Sequence, residues 1–315
     1  MRTRVLTVAV AVLLVAGVFL VVRMASGDDP AATAPDQPPG RMLEGRNPVA
    51  TRTGGSAAAE FLSGEVPIGV STKFPGWGYG DQPDGFDLAL VRYLQKKYHF
   101  TPVWVPVDAK DREPYLVSRR VKLIVAAYSI DGASSTQPDR KRTDVLDFAG
   151  PYFADQSGIM FDETKRRAVT PGTGIPGDHI CVAQGTTAET YLGSANPVRL
   201  PTNTDCFDRF GLAGDNSVVG VVTDETILRA YAKGKGGDVS PVMWSGEGHV
   251  INQEKYGIGM AEGHDDACRE LAADVNAFLG DPGPDGAGAA FDTFLKSSQN
   301  RDKHLDVAAD LSLCE

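Results

Sequence analysis

From Val66 onward, short apolar runs alternate with segments of helical periodicity, and this alternation constrains the fold more than any other feature. The runs VPIGVS, FTPVWVPV and VKLIVAAYSI predict strands. Between them, DREPYLVSRR predicts a short helix and FDLALVRYLQKKY a longer one, with Phe86, Leu90 and Leu94 on one face. Strands that alternate with helices indicate an α/β sheet rather than a β-sandwich.

The same order repeats in the second part of the chain. HICVAQ, GDNSVVGVVTD and EKYGIGMA predict strands, and GTTAETYLG, ETILRAYAKG and DDACRELAADVNAFLG predict helices. Two successive α/β units of about ninety residues indicate two lobes with a cleft between them. We expect lobe 1 to comprise residues 63–154 and 253–315 and lobe 2 residues 155–252. The chain would cross between them near residues 154–158 and 249–252.

The N-terminus carries an export signal. Arg2 and Arg4 precede a charge-free, almost wholly apolar run over Val5–Val22. This run is longer than the usual apolar region of a cleaved signal and reaches the short end of what spans a bilayer, roughly 17 to 25 residues. Residues 1–23 therefore predict a signal peptide or a signal anchor. An uncleaved anchor is favoured, and cleavage near residues 25–27 is the alternative.

Residues 24–62 are rich in Pro, Ala, Gly and Thr and show no apolar period, which predicts a flexible linker. Whether or not the signal is cleaved, the remainder of the chain is expected outside the cytoplasm, anchored to the cell membrane or secreted.

The overall charge excludes some partners. The chain has 31 basic and 41 acidic residues, a net charge of −10. A general attraction for nucleic acid or anionic lipid is therefore not expected, and any anion must be bound by a local cluster of positive charge.

The four cysteines, Cys181, Cys206, Cys268 and Cys314, all lie in the exported part, where disulfides persist. Pairing of sequence neighbours is favoured because it closes two loops of moderate size, each worth about 3 kcal/mol in the chain-entropy model. The other two connectivities remain open. Because the sequence contains no CxxC pair and no ligand spacing among its histidines, we expect no metal and no other cofactor.

Ligands of open α/β sheets bind beyond the carboxyl ends of the strands. In this chain those positions are the loop Lys73–Asp84, the segment Ala127–Arg142, the sequence Gly185–Thr187, and Asp224. Arginine binds a carboxylate through two parallel hydrogen bonds, and GTT at the start of a helix adds N–H and hydroxyl donors. Asp224 is an acceptor suited to an ammonium. A carboxylate and an ammonium side by side define an α-amino acid.

Each of these residues also has a purely structural interpretation. Arginines in a loop are usually solvated, a Thr at a helix start is usually an N-cap, and Asp224 would cap the helix that begins at Glu225. The aromatic residues of FPGWGYG would cover an edge of the core. The occurrence of all these features in the right order favours the functional interpretation.

Several short motifs occur in a fixed order along the chain. They are GFD at 85–87, YSI at 128–130, DFAGPYF at 147–153, VAQGTT at 182–187, VVTD at 221–224 and YGIG at 256–259. With them the chain resembles the extracytoplasmic amino-acid-binding proteins of ABC importers, the polar amino-acid group that includes glutamate and glutamine binders. The resemblance covers approximately residues 66–279. It implies an α/β, two-lobed, periplasmic-binding-protein-like fold of type II, in which each lobe is a small mixed sheet flanked by helices.

The resemblance also implies roles for residues of the first lobe. The Ala127 carbonyl would accept a hydrogen bond from the ligand ammonium, and the N–H and hydroxyl of Ser129 would bind its carboxylate. Arg142 would form the carboxylate clamp, because it holds the family position when counted back from DFAGPY, and Arg140 is the alternative. Trp77 or Tyr79 would pack on the aliphatic part of the ligand.

From the second lobe, Thr187, with Gly185 and Thr186, would close on the same carboxylate, and Asp224 would hold the ammonium.

Lys73 and Arg112 would favour an acidic side chain in the ligand, unless Lys73 is solvated and Arg112 only braces its turn.

The expected function is that of the substrate-binding component of an amino-acid ABC importer. It would be a monomer that binds a free polar or acidic amino acid by lobe closure and presents it to a membrane permease. It would not bind nucleic acid and would not be an enzyme. Two alternatives remain open: a membrane-tethered amino-acid sensor, and an enzyme on the same fold, which would need a general acid or base in the cleft.

Overall fold

The computed structural model describes residues 55–81, 83–169, 177–192, 196–234, 253–295 and 300–315. The predicted signal, most of the predicted linker and the crossing expected at 249–252 lie outside these residues. Within the described ranges, no helix is both long enough and apolar enough to cross a bilayer.

The described residues form ten strands and ten α-helices, together with short 3₁₀ turns. The strands are β1 (Glu65–Val70), β2 (Lys73–Phe74), β3 (Gly78–Tyr79), β4 (Thr101–Pro106), β5 (Leu123–Ile124), β6 (Leu146–Phe161), β7 (Ile180–Ala183), β8 (Val198–Leu200), β9 (Gly220–Asp224) and β10 (Gln253–Ala261). The helices are α1 (Ala57–Phe61), α2 (Phe86–Tyr98), α3 (Arg112–Val117), α4 (Glu163–Val169), α5 (Ala188–Tyr191), α6 (Asn203–Phe210), α7 (Glu225–Gly234), α8 (Asp265–Gly280), α9 (Ala287–Phe294) and α10 (Arg301–Leu305).

Eight of these strands form a mixed sheet in the order β4-β1-β5-β10-β6-β9-β7-β8, and β2 and β3 form a separate hairpin. Strand β1 is parallel to β4 and β5, and β7 is parallel to β8 and β9. Both β10 and β9 run antiparallel to β6. The alternation of strands and helices read from the sequence therefore does give an α/β fold.

Strand β6 divides the sheet into two halves. Its residues up to Gln156 pair with β10, and its residues from Ser157 onward pair with β9. We call the part with β4, β1, β5 and β10 the first half, and the part with β9, β7 and β8 the second half. The change of partner falls inside the crossing segment expected at residues 154–158.

Each half buries apolar side chains on both faces of its strands. In the second half, Cys181 and Val221 pack on one face with α6 and α7, while Ile180, Val182 and Val222 pack on the other face beside α5. The first half has a larger core, which includes most of the apolar face of α2. Strands buried on both faces read as continuous apolar runs, which explains why they were recognisable in the sequence.

Strand β5 is shorter than the ten-residue run VKLIVAAYSI predicts, because its ladder is limited to Leu123–Ile124. The reason is Ala127, whose φ of 45° takes the chain out of the extended conformation. Beyond this turn the chain rejoins β10, where Ser129 pairs with Tyr256. The end of this run therefore forms a turn and not an extended strand.

Ordered structure begins before residue 62, the expected end of the flexible linker, because α1 lies within that segment. The Glu270 carboxylate of α8 accepts hydrogen bonds from the backbone N–H groups of Ala57 and Ala58, each at 3.0 Å. At the other end, Lys122 Nζ donates to the Phe61 carbonyl at 2.7 Å. A helix of five residues is not stable by itself, so these two contacts hold it.

The predicted pairing of neighbouring cysteines is confirmed. Cys181 on β7 is bonded to Cys206 on α6, and Cys268 on α8 is bonded to Cys314 near the C-terminus. The second bond fastens the last described residues to the first half, where the Asp310 N–H also donates to the Gly150 carbonyl at 2.7 Å.

We expect loss of either disulfide to lower the free energy of unfolding by about 3 to 4 kcal/mol, because each bond restricts the unfolded chain. The measurement is urea unfolding of the paired Cys→Ser variants under non-reducing conditions. The effect of removing Cys268–Cys314 should be slightly the larger, since it closes 46 residues against 25 for the other bond. An unchanged unfolding midpoint in either double variant would contradict this expectation.

Candidate functional site

Two contiguous pockets lie where the first and second halves of the sheet meet, and we call them together the cleft. The first pocket is lined by Phe74, Arg112, Ala127, Ser129, Thr186, Thr187, Ala188, Asn203, Thr223, Asp224 and Ile227. The second is lined by Ser71, Lys73, Phe74, Val107, Asp108, Ala109, Arg112, Ala126, Ala183, Thr202 and Asn203. Phe74, Arg112 and Asn203 line both pockets, so the two are adjacent.

Ala127 and Ser129 reach the first pocket through the turn after β5. The Ala127 carbonyl accepts a hydrogen bond from Arg112 Nη1 at 3.1 Å. The Ser129 carbonyl points the other way and accepts from Arg142 Nη1 at 2.6 Å. Both residues therefore lie where the sequence predicted ligand contacts, with their backbones held by arginines.

Arg142 is buried beside the cleft and does not itself line either pocket. Its Nη1 also donates to the Asp131 carbonyl at 3.1 Å, and its guanidinium lies over the ring of Tyr128. Its buried Nε has no hydrogen-bond partner among the described residues. Gly132 separates it from Thr187, since a Cβ on this glycine would lie 3.4 Å from Arg142 Nη1 and 3.0 Å from Thr187 Cγ2.

Arg140, the alternative clamp, is exposed, and its guanidinium bonds to the Gln137 side chain and the Asp144 carbonyl. Of the two arginines, only Arg142 lies beside the cleft. The long segment DGASSTQPD makes the register of these arginines hard to read from the sequence.

Glu113 of α3 holds that long segment. Its carboxylate accepts hydrogen bonds from the backbone N–H groups of Ser135 and Thr136, at 2.8 and 3.0 Å, and from the Ser134 hydroxyl. The Arg142 N–H donates to the Gly132 carbonyl at 2.9 Å and closes the base of the loop. The extra residues therefore bulge outward and leave Arg142 at the base, beside the cleft.

Arg112 is the guanidinium that lines the cleft directly. Its Nη1 donates to the carbonyls of Ala126 and Ala127, its Nε donates to the Ala109 carbonyl at 3.2 Å, and it lies over the Tyr128 ring. Burial, and second the nearby Arg142 charge, lower the pKa of Arg112 to about 10. It still carries its charge at neutral pH, so it both braces the turn and adds positive charge to the cleft.

Lys73, the other candidate for binding an acidic side chain, lines the second pocket. It forms an ion pair with Asp108 at 2.8 Å, and both side chains are partly exposed. The second pocket therefore contains both signs of charge.

In the second half, Thr186 and Thr187 line the first pocket, as the sequence predicted. Gly185 lines neither of the two pockets. Its N–H donates to the Glu189 carboxylate at 2.8 Å, and a Cβ on it would lie 2.4 Å from the Lys110 Cα. A glycine with a φ of 75° is needed there so that the backbones of the two halves can approach.

Asp224 ends β9 at the cleft and is almost fully buried. Its carboxylate accepts hydrogen bonds from the hydroxyls of Ser157, at 2.9 Å, and Tyr256. Burial is the main cause that raises its pKa, and the nearby Glu254 and Asp155 carboxylates raise it further. An ammonium beside Asp224 would lower that pKa again.

Asp155 of β6 belongs to the same acidic cluster. It accepts hydrogen bonds from the N–H and hydroxyl of Thr226 and from the Gln156 N–H. Burial raises its pKa as well. Asp155 and Glu254 are register partners on β6 and β10, so three carboxyl groups lie close together at this point of the sheet.

The aromatic residue in the cleft is Phe74 of β2, and the expectation for Trp77 is wrong. Trp77 is fully buried, its ring packs edge-on against Phe153 and Tyr256, and its Nε1 donates to the Thr226 hydroxyl at 3.2 Å. A large apolar ring with a satisfied donor belongs in the core. The side chain of Tyr79 lies outside the described part of the structure.

Asn203 lines both pockets and was not predicted as a cleft residue from the sequence. It begins α6, its Nδ2 donates to the Thr223 hydroxyl at 3.1 Å, and its buried Oδ1 has no partner among the described residues. Thr202 and Asp205 form a capping box at this helix, a signal that is present in the sequence. Recognising the three-residue strand β8 would have placed Asn203 beyond the end of a strand.

The fold is the type II periplasmic-binding-protein fold, and the chain belongs to the bacterial extracellular solute-binding proteins, family 3, whose family description matches residues 66–291. The glutamate-binding protein GluB of Corynebacterium efficiens is 26% identical over 267 residues, which cover 80% of this chain and 84% of GluB.

Solved structures of similar fold include a mutant of ArgBP from T. maritima, with a TM-score of 0.61 and 23% identity, over 76% of this chain and 99% of that one. The cysteine-binding protein from Campylobacter jejuni has a TM-score of 0.61 and 21% identity, over 80% and 97% of the two chains. The solute receptor for L-cysteine of Neisseria gonorrhoeae has a TM-score of 0.60 and 23% identity, over 76% and 94%.

The raised pKa of Asp224 predicts a pH-dependent effect of Asp224→Asn. When folding raises the pKa of a carboxyl group, that group stabilises the folded protein at pH values below its pKa in the unfolded state. This stabilisation is lost as the pH rises through its pKa in the folded state. The melting temperature of Asp224→Asn relative to wild type should therefore increase from pH 5 to pH 9. The free-energy difference should change by at most about 1.4 kcal/mol per pH unit.

The measurement is thermal unfolding of dialysed protein across this pH range. The substitution Asp302→Asn is the matched control, because that side chain is 97% exposed, and its difference from wild type should stay constant. A difference for Asp224→Asn that is independent of pH, or that falls as pH rises, would contradict the raised pKa.

Proposed function

We propose that this protein is the extracytoplasmic substrate-binding component of an amino-acid ABC importer. It would bind a free amino acid with a polar or acidic side chain between its two lobes, residues 63–154 with 253–315 and residues 155–252. The closed form would be presented to a membrane permease. The monomeric state, the signal or anchor over residues 1–23 and the absence of catalysis belong to the same proposal.

The observation that carries the proposal is the distribution of charge in the cleft. Ser129, Thr186 and Thr187, which carry hydrogen-bond donors, line the same pocket as Arg112 and Asp224, and Arg142 is buried beside it. The arrangement suits a molecule that carries a carboxylate and an ammonium on neighbouring atoms. Arg142 would supply the clamp through its unpartnered Nε, and Asp224 would bind the ammonium.

The two halves supply different parts of this site, so a ligand would favour their closure. Ser129 and Ala127 come from the first half, and Thr187 and Asp224 from the second. A ligand shifts a conformational equilibrium only through contacts that differ between the two states, and contacts made to both halves at once fulfil this condition. Hydrogen bonds to charged groups are each worth about 1.5 to 3 kcal/mol, so three or four of them would give micromolar affinity after entropic losses.

The relatives support an amino acid as the ligand. GluB is named a glutamate-binding protein, and two of the similar structures are named for cysteine. The amino acids in these names differ in their side chains and share the same α-ammonium and α-carboxylate groups. This agreement fits a cleft whose shared part recognises the ammonium and the carboxylate.

We expect Arg142→Gln to lower the affinity for the amino acid by at least about 100-fold, because the ligand carboxylate would be buried without its ionic partner. The ligand is first identified by thermal shift with each of the twenty amino acids, and affinities are then measured by isothermal titration calorimetry. The matched control is Arg140→Gln, the same change two residues earlier at an exposed position, which should leave the affinity within about twofold.

Equal affinities of wild type and Arg142→Gln would overturn the proposed clamp. Arg112→Gln then decides whether the guanidinium that lines the cleft has that role instead. Melting temperatures of the variants without amino acid separate a loss of binding from a loss of folding.

Transport itself is tested by deleting the gene and measuring uptake of the identified amino acid. Loss of uptake, restored by wild type and not by Asp224→Asn, supports an importer component. Unchanged uptake with altered signalling would contradict transport and support the membrane-tethered sensor. Chemical turnover of the bound compound would contradict a purely binding role.

A further inference from the structure

Another buried acid, Asp87, lies close to the cleft and lines neither pocket. It is in the first turn of α2, within the motif Gly85-Phe86-Asp87, and it is 1% exposed. Burying a carboxyl group is unfavourable unless it is hydrogen-bonded. One hydrogen bond of Asp87 connects it to the turn at Ala127.

The carboxylate of Asp87 has two partners, one on each oxygen. Oδ2 accepts the backbone N–H of Ala127 at 2.8 Å, and Oδ1 accepts the Tyr152 hydroxyl at 2.7 Å. Ala127 is the residue with a φ of 45°, a conformation that non-glycine residues rarely adopt. Asp87 therefore holds the strained residue directly, and Tyr152 fixes the orientation of its carboxylate.

Arg112 holds the same turn through its carbonyl groups. Its Nη1 donates to Ala126 O at 3.2 Å and to Ala127 O at 3.1 Å. The Asp87 carboxyl group thus accepts the N–H of Ala127 while Arg112 donates to the carbonyls on either side of it. Burial raises the pKa of Asp87 to about 7, and the hydrogen bonds from Tyr152 and Ala127 and the charge of Arg112 oppose that rise.

We propose that Asp87 is a positioning residue for ligand binding: it fixes the left-handed turn at Ala127 that brings the Ala127 backbone and Ser129 to the cleft. The part of this inference that concerns ligand affinity rests on the proposed function. The part that concerns the turn does not, because the turn and its hydrogen bonds exist without a ligand.

Amide hydrogen exchange of the segment 123–130 in the full chain tests the turn directly. Asp87→Ala should raise exchange at Ala127 by about tenfold or more, because its buried N–H loses the acceptor. Asp87→Asn should restore protection, since its amide oxygen can accept from Ala127 while its N–H₂ donates to the Tyr152 oxygen.

Asp274→Ala is the matched control. Asp274 is also a buried acid of the first half, it accepts the Tyr98 hydroxyl at 2.6 Å, and it lines neither pocket. Its loss should lower the melting temperature and leave exchange at Ala127 unchanged. Equal exchange at Ala127 in wild type and Asp87→Ala, or an equal rise in Asp274→Ala, would overturn the proposal.

Should Asp87→Ala fail to fold, Tyr152→Phe against Tyr98→Phe is the milder pair, because each removes one hydroxyl from one buried acid. Only Tyr152→Phe should raise exchange at Ala127. A rise of equal size in both would show a general loss of stability and overturn the positioning role.

Calorimetry with L-glutamate and L-glutamine as probes tests the link to binding. Asp87→Ala should weaken binding of the amino acid that wild type binds by about tenfold or more, with Asp87→Asn near wild type and Asp274→Ala unchanged. Equal affinity of wild type and Asp87→Ala would overturn the role in binding. Raised exchange together with no binding of any amino acid by wild type would support the turn and contradict the proposed function.

Discussion

Burial of three acids and two arginines at the meeting point of the two halves is the constraint on which the rest of the structure depends. Asp155, Asp224 and Glu254 are buried on β6, β9 and β10, and Arg112 and Arg142 are buried beside the turn that carries Ala127 and Ser129. Burying a charge is costly unless it is paired or hydrogen-bonded. Asp155 and Asp224 are held by hydroxyl and backbone donors, and the arginines mainly by carbonyl oxygens. A zwitterion between the two groups would add a partner to each.

The arginines and the acids also shape the backbone that carries them. At the turn, Asp87 accepts the Ala127 N–H and Arg112 donates to the carbonyls of Ala126 and Ala127. In the same way, Glu113 satisfies the loop that leads to Arg142. Polar side chains that are fully satisfied specify one conformation, and this conformation is what places a short stretch of backbone at the cleft.

Strand β6 runs through both halves of the sheet, so a movement of one half relative to the other would occur along it. Its partner changes at Gln156–Ser157, so rotation about that point would move the second half relative to the first with little loss of pairing. Contacts across the cleft include the Tyr231 hydroxyl, which donates to the Lys73 carbonyl at 2.6 Å.

Much of the fold was predictable because it depends on local periodicity and composition. The bounds of α2 and the end of β9 at Asp224 follow from apolar patterns, and the disulfide pairing follows from loop length. Ser129, Thr187 and Asp224 were predictable as cleft residues because they follow strands, and the structure places all three there.

The remaining features depend on contacts between distant parts of the chain, which no local pattern reports. Trp77 and Phe74 are three residues apart, and only the packing around Phe153 decides which of them enters the core. Gly185 contacts the Lys110 backbone, and α1 is held by Glu270, so neither role is visible in the neighbouring sequence.

Recognition of both charged groups of one amino acid is the central claim, and calorimetry with blocked analogues tests it most directly. The amino acid identified for wild type is compared with its N-acetyl derivative and with its α-carboxamide. The account predicts that each blocked compound binds at least about 100-fold more weakly, since each removes one of two buried ionic contacts. Binding of either blocked compound as tight as that of the free amino acid would contradict it.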